Sequence, residues 1–243
     1  MIRLRRPSDI QALTAATRKY LARRQRTADG YLPESGTIQN AWNYFLRRPE
    51  KAELYVALQR LSRGKCAYCE QVRAADVEHF YPKSTYPTRM YQWPNLLPSC
   101  KDCNLAKLNH FPMNGNQPVL IDPSSEEPMD FFSWSLETGE PVLRPDEPYH
   151  SRAKETVKTL HLEQLSEERR QKLLDVLYLL ANVIEENPVT AETAERLREH
   201  LLPTRPWLAV VRQLLRHPGI YAPLVNAAYA KLPAIHQWVA DWI

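Results

Sequence analysis

Glycine and long apolar runs are both scarce in this chain of 243 residues. Six glycines are too few for an architecture of many short strands joined by tight turns, so their scarcity favours helices. The most apolar stretch, 173–184, contains Asp175 and Asn182 and is too short to cross a bilayer. Residues 1–7 lack the hydrophobic core of a signal peptide. We therefore expect a cytoplasmic α+β protein, mostly helical, with no membrane partner.

Cysteine is also scarce, and the four cysteines form two C-x2-C pairs. Cys66 pairs with Cys69, and Cys100 pairs with Cys103. Four thiolates can complete the tetrahedral shell of a structural zinc ion. The alternatives are two disulfides, which suit small secreted chains, or a redox pair, which normally opens a helix in a βαβ unit. We therefore predict Zn²⁺, with a folded element in the 30 residues between the pairs.

A short strand is predicted between the two cysteine pairs. Residues 76–81 are rich in β-branched and aromatic side chains, and Pro82 stops the run. Because side chains alternate along a strand, Asp76 and Glu78 share one face while His79 points across.

A short helix is predicted directly after Cys100, the first cysteine of the second pair. Residues 101–109 contain neither glycine nor proline, and Asn104 and Lys107 lie three apart on one face. A strand, a loop, a second short strand and this helix together predict a ββα unit.

The ββα unit carries the groups that phosphodiester hydrolysis needs. Neutral His79 is suited to taking a proton from water near pH 7. Glu78 and the Asn104 amide offer oxygen ligands to a hard cation such as Mg²⁺ or Mn²⁺. Lys83 and Lys107 could hold the flanking phosphates of a nucleic acid.

The order of these residues resembles the HNH endonucleases, the ββα-metal group with a bound zinc. The shared pattern is C-x2-C, E-H, P, W-x-N-L and C-x2-C-N-x2-K. The resemblance implies that His79 is the general base, that Glu78 and Asn104 are catalytic metal ligands with Asp76 as the alternate, and that Asn95 pins the loop. Asparagine replaces histidine at the third signature position, and the Gly-Gly run of many members is missing.

The regions around this motif resemble PtuB, the HNH component of Septu anti-phage systems and of certain retrons. That resemblance implies an anti-phage defence role and a partner, the ATPase PtuA, that controls the nuclease. The resemblance rests on the order of three predicted regions: a basic helical region at 1–64, a zinc-bound HNH core with short strands at 65–149, and a helical region at 150–243.

Charge is distributed unevenly along the chain. Residues 1–65 hold 14 Lys and Arg against 5 Asp and Glu, whereas 66–243 hold 18 against 23. Clustered cations such as Arg23 and Arg24 are typical of a phosphate-binding surface. Without the neighbouring motif, a solvated helix face would be the better explanation of these cations.

Helix-capping residues and helix-breaking Gly and Pro residues predict the remaining helices and strands. We expect helices from Ser8 to about Thr27, from Thr37, and from Pro49 to Gly64, with an apolar stripe on the second helix that is core rather than a base-stacking surface. Short strands are predicted at 118–123 and in a hairpin around Thr138-Gly139. Six helices follow, at about 151–161, 166–187, 190–202, 204–216, 219–231 and 234–242.

Two classes of function agree with this pattern. The first is a metal-dependent endonuclease, with DNA favoured as substrate and RNA, such as tRNA, as the alternative. The second is a zinc-stabilised nucleic-acid-binding or adaptor module with an inactive site. The second class does not need a base beside metal ligands, so the set of His79, Glu78, Asn95 and Asn104 favours the nuclease.

Overall fold

The protein is mostly helical, with small antiparallel sheets. A computed structural model describes residues 1, 3–6 and 13–240. Apart from Met1, the described residues form two compact units, one up to Pro128 and the other from Met129. The units divide the chain at a different place from the predicted regions 1–64, 65–149 and 150–243, which stay a prediction about domains.

The first unit begins with three helices, α1 (Ala15–Ala28), α2 (Gly36–Phe45) and α3 (Pro49–Ser62). Thr14 is extended and its side chain accepts a hydrogen bond from the Thr17 N–H, so it caps α1. The predicted cap, Ser8, lies outside the described residues. Arg63, in the left-handed conformation, ends α3 just before Gly64.

The apolar stripe on α2 is core, as predicted. Ile38, Ala41, Trp42 and Phe45 are buried, whereas Leu46 is exposed. They pack in one cluster with residues of α1, α3 and the start of the second strand. This cluster supports one side of the ββα unit.

The predicted ββα order is confirmed. Strand β1 (Asp76–His79) pairs antiparallel with β2 (Leu96–Ser99), with His79 opposite Leu96, and α4 (Lys101–Lys107) follows. Strand β1 ends at His79 rather than at residue 81, because the partner chain before Leu96 is a 3-10 turn and offers no further ladder.

The predicted strand at 118–123 is wrong beyond its first residue. A two-residue hairpin forms from β3 (Met113–Asn114) and β4 (Gln117–Pro118). Leu120 and Ile121 follow as buried, irregular chain. Their apolar character therefore reflects burial and not a place in a sheet, which the pattern alone cannot separate.

The second unit starts with the predicted hairpin, formed by β5 (Phe132–Trp134) and β6 (Pro141–Leu143). Gly139 in its turn has φ +72°, and an added Cβ would lie 2.2 Å from the Ser166 carbonyl oxygen. Glycine is thus required both by conformation and by the close approach of the helix that begins at Ser166.

The predicted helices of the second unit are confirmed, with small shifts at their ends. They are α5 (Tyr149–Thr159), α6 (Ser166–Glu185), α7 (Ala191–Leu201), α8 (Leu208–Arg216), α9 (Ala222–Lys231) and α10 (Ala234–Val239). Helix α8 starts later than predicted because Trp207 is left-handed at φ 51°. Leu173 and Leu180 on α6 are buried core. Within the described ranges, no helix has the length and apolarity to cross a membrane.

Candidate metal centre and catalytic site

The four cysteines meet in one buried cluster. Their sulfur atoms all lie within 4.8 Å of one another, and the Sγ atoms of Cys69 and Cys100 are 3.7 Å apart. None of the four forms a disulfide. A zinc ion with Zn–S bonds of about 2.3 Å spaces its four sulfurs by about 3.8 Å. The spacing and the donor chemistry therefore fit the predicted zinc ion, which this cluster could hold.

Backbone contacts prepare both halves of the cluster. The Ala67 N–H donates to the Pro98 carbonyl of β2, which fixes the first pair against the sheet. The Cys100 sulfur accepts from the Cys103 N–H and caps α4. The hydrogen bond between Cys100 and Cys103 lowers the pKa of the first thiol and raises that of the second. Thiols this close cannot all ionise unless a cation joins them.

His79 is buried at the end of β1 with one ring nitrogen engaged. Its Nε2 lies 3.0 Å from the Met90 carbonyl oxygen. Because a carbonyl only accepts, Nε2 carries the proton and Nδ1 is the acceptor atom. Among the described residues, Nδ1 has no hydrogen-bond partner. The Trp42 ring packs edge-on, with centroids 4.3 Å apart.

The surroundings of His79 keep its imidazole neutral. Burial, and next the charge of Lys83, hold its pKa well below the usual value for histidine. A neutral ring in a fixed tautomer is the form that can accept a proton.

Asn95 pins the loop that follows His79. Its side-chain oxygen accepts from the Tyr81 N–H at 2.7 Å. Its amide nitrogen donates to the carbonyls of Tyr81 and Arg89, both at 3.0 Å. One buried side chain thus satisfies three backbone groups, and it fixes where the chain turns away from β1.

Glu78 forms a buried ion pair with Lys107. The ammonium Nζ is 2.6 Å from Oε1, and the side chains are 4% and 1% exposed. The same ammonium donates to the His79 carbonyl at 2.9 Å. The 2.6 Å contact places the ammonium directly against Oε1, so Lys107 is the partner of that oxygen. Lys107 was predicted to bind a phosphate of the nucleic acid, but its ammonium forms a buried ion pair with Glu78 instead.

Burial outweighs the attraction of Lys107 and raises the pKa of Glu78. The carboxylate is therefore short of positive charge despite its ion pair. An additional cation would favour its ionised form. This deficit and the carboxylate chemistry of Glu78 suit a divalent cation.

Asn104 lies beside Asp76 on the same side of the strand. Its amide nitrogen donates to Asp76 Oδ2 at 3.1 Å, which leaves the amide oxygen as a ligand atom. Asn104 thus contacts the alternate acid, Asp76, and Lys107 contacts Glu78. Lys83 is half-buried and lies close enough to Glu78 and Lys107 to be affected by their charges. Burial is the main cause that lowers the pKa of Lys83, the charge of Glu78 raises this pKa, and the charge of Lys107 lowers it further. The oxygens suit Mg²⁺ or Mn²⁺ chemically.

The predicted basic surface is only partly exposed. Arg23 is exposed, but the Arg24 guanidinium lies over the rings of Tyr44 and Tyr91. Arg6 is half-buried and donates to the carbonyls of Trp93 and Leu96.

Burial lowers the pKa of Arg6 to about 10. Some of the N-terminal arginines thus make contacts within the protein and are not free to bind a phosphate.

Sequence reasoning missed two groups that orient His79. Trp42 was predicted only as core, and its contact with the imidazole depends on how α2 packs against the sheet. The Met90 carbonyl has no sequence signal, because every residue carries one. Both belong to tertiary packing.

Comparison with known proteins gives one relevant similarity. The chain is 36% identical over 123 residues to the Septu protein PtuB of Bacillus thuringiensis. This chain resembles PtuB. The match covers 47% of this chain and 43% of PtuB, so it spans less than half of either protein. No protein-family model matches the sequence.

The cysteine cluster predicts one zinc ion per chain. We expect elemental analysis to find about one zinc, and Cys69→Ala to lose zinc and the cooperative melting of the first unit, since zinc binding supplies on the order of 10–16 kcal/mol. Ser99→Ala, beside the cluster, should keep the metal. Folded wild-type protein with no zinc would contradict this.

The buried ion pair predicts a large effect of Lys107→Met on stability. Removing the ammonium leaves Glu78 buried and uncompensated, so the free energy of unfolding should fall by about 3–5 kcal/mol. Urea denaturation measures this. Lys101→Met, exposed on the same helix, is the control, and adding Glu78→Gln to Lys107→Met should restore part of the loss. Equal stability of the Lys107 and Lys101 variants would show that Lys107 is not an internal counter-ion.

Proposed function

We propose that this protein is a metal-dependent endonuclease of the HNH type that hydrolyses phosphodiester bonds. The observation that carries the proposal is the state of His79. It is a buried, neutral imidazole whose Nε2 is held by the Met90 carbonyl at 3.0 Å, and its neighbour in β1 is the buried carboxylate of Glu78. A purely structural histidine does not need an adjacent, charge-deficient carboxylate.

His79 would act as the general base. Its Nδ1 would accept a proton from the water molecule that attacks the phosphate. The Met90 carbonyl and the Trp42 ring hold the imidazole in one tautomer and one orientation, so little reorganisation is needed when the proton moves. The low pKa of His79 keeps Nδ1 unprotonated.

Glu78 and the Asn104 oxygen, with Asp76 as the alternate, would hold a catalytic Mg²⁺ or Mn²⁺. When bound, that ion supplies positive charge against the scissile phosphate and the leaving oxygen. The zinc ion at the four cysteines would be structural, because its four sulfur ligands leave no open position.

The substrate that we favour is DNA, with RNA such as tRNA as the alternative. The exposed Arg23 and the half-buried Lys83 are candidate phosphate contacts, which would make binding weaken with added salt. An inactive adaptor would have little use for the fixed His79 tautomer, and this disfavours the binding-module alternative.

The similarity to PtuB supports a role in anti-phage defence. We propose a partner ATPase resembling PtuA, which would control access to the site. Leu173 and Leu180 of α6 lie in the core and are not available for this contact. The exposed Leu174 and Tyr178 on α6 are the remaining apolar candidates on that helix for contact with the partner.

His79→Ala tests the proposed base. We expect cleavage of nucleic acid in Mg²⁺ or Mn²⁺ to fall by about 10²–10⁴-fold, as is usual on losing a general base, with zinc content unchanged. The measurement is the initial rate of cleavage of plasmid DNA, single-stranded DNA and tRNA. His110→Ala is the matched control, since His110 is an exposed histidine of the same unit. Full activity of the His79 variant would remove this residue from the mechanism.

A further inference from the structure

A cluster of aromatic rings beside His79 has no part in the chemistry proposed above. Phe80 is buried, whereas Tyr81, Tyr86 and Phe111 are only half-buried. The centroids of Tyr81 and Phe111 are 4.7 Å apart, and the Tyr86 centroid lies 5.3 Å from Tyr81 and 5.7 Å from Phe111. Three of the four rings thus pack together and still reach the surface.

The cluster borders the candidate metal ligands. The Lys107 ammonium that contacts Glu78 Oε1 at 2.6 Å lies 5.7 Å from the Phe111 ring centroid. Asn95 fixes the backbone of Tyr81 at both its N–H and its carbonyl. The rings are therefore held at a defined place next to the site.

The chain segment that carries the rings holds little negative charge of its own, and the exposed Glu34 meets it through a backbone hydrogen bond to Ser84. Between residues 79 and 121, Asp102 is the sole acidic residue. The exposed Arg89 stacks on Tyr81, with its guanidinium carbon 3.9 Å from the ring centroid, and Lys83 lies between the two tyrosines in sequence. Half-exposed rings among cations are complementary to a nucleic-acid strand, which offers base faces and phosphates together.

The basic helix α1 contacts the segment that carries Arg89. The Gln25 amide nitrogen donates to the Pro87 carbonyl at 3.1 Å, and its oxygen accepts from the Tyr91 N–H at 2.7 Å. Helix α1 is thus fixed against the segment that carries Arg89. Its exposed Arg23 and Arg26 flank Gln25 in sequence.

We infer that Tyr81, Tyr86, Phe111 and Arg89 form a stacking platform for unpaired bases of the strand that is cut at His79. The inference rests on the proposed nuclease function and narrows its substrate to single-stranded segments, such as loops, ends and displaced strands. Aromatic faces bind any base, and a guanidinium adds cation–π attraction. In a duplex the base faces are already stacked on one another.

Leucine and phenylalanine substitutions separate stacking from packing. Tyr81→Leu and Tyr86→Leu keep an apolar side chain but remove the ring, so each should weaken binding of a labelled single-stranded oligonucleotide on the order of tenfold. Tyr81→Phe and Tyr86→Phe should bind as the wild type does. Fluorescence anisotropy with the full-length protein, without added Mg²⁺ or Mn²⁺, measures this against the matching duplex, and zinc content reports folding.

If a leucine variant loses its zinc, a second pair of variants tests the stacking platform instead. Arg89→Gln should weaken single-strand binding several-fold more than Arg47→Gln, which removes an exposed charge from a residue outside the cluster. Equal effects of the two would mean that bulk charge and not stacking is responsible, which would overturn the platform.

Cleavage separates the platform from the nuclease itself. With Mg²⁺ or Mn²⁺, the wild type should cut a hairpin in its loop and spare its stem. If it cuts nucleic acid but binds duplex and single strand equally, or if the leucine variants bind the single strand normally, the platform is wrong and the nuclease proposal stands. If neither the protein alone nor its complex with the partner ATPase cuts nucleic acid, the nuclease proposal is wrong, and the platform, which is defined by the strand cut at His79, falls with it.

Discussion

Closure of the two cysteine pairs onto one another is the constraint on which the candidate site depends. The first pair is fixed to β2 through the Ala67 N–H, and the second caps α4 through the Cys100 sulfur. A zinc ion at these sulfurs would therefore set where α4 lies against β1. The contacts of Asn104 with Asp76 and of Lys107 with Glu78 both cross that junction. Short strands of four residues could not hold these distances by their ladder alone.

Buried charge is balanced within this small unit. Lys107 partly neutralises Glu78 and also binds the His79 carbonyl, so one ammonium links the carboxylate to the strand position of the imidazole. The balance is incomplete, since burial still raises the pKa of Glu78 and lowers that of His79. Both shifts come from the same low-dielectric setting, and they leave a neutral imidazole next to a carboxylate whose ionised form a further cation would stabilise.

The sequence predicts those parts of the protein that rest on local spacing. The cysteine cluster, the ββα order and the proline-punctuated helices follow from residue types at fixed intervals. How deeply a side chain is buried does not follow from local spacing. Asn104 and Lys107 were correctly placed on one face of α4, but only tertiary packing makes Lys107 a buried counter-ion rather than an exposed phosphate contact. The same limit explains Arg6, whose charge suggested a surface, and residues 119–123, whose apolarity suggested a strand.

The central claim is that a catalytic metal ion binds at Glu78, separate from the zinc ion. Anomalous diffraction from crystals soaked in Mn²⁺ tests it most directly, because manganese and zinc are distinguished by their absorption edges. The account predicts zinc among the four sulfurs and manganese against oxygens of Glu78 and of Asn104 or Asp76, at about 2.0–2.3 Å. Manganese that binds only away from Glu78, or a zinc site without a second metal site at saturating Mn²⁺, would contradict the account.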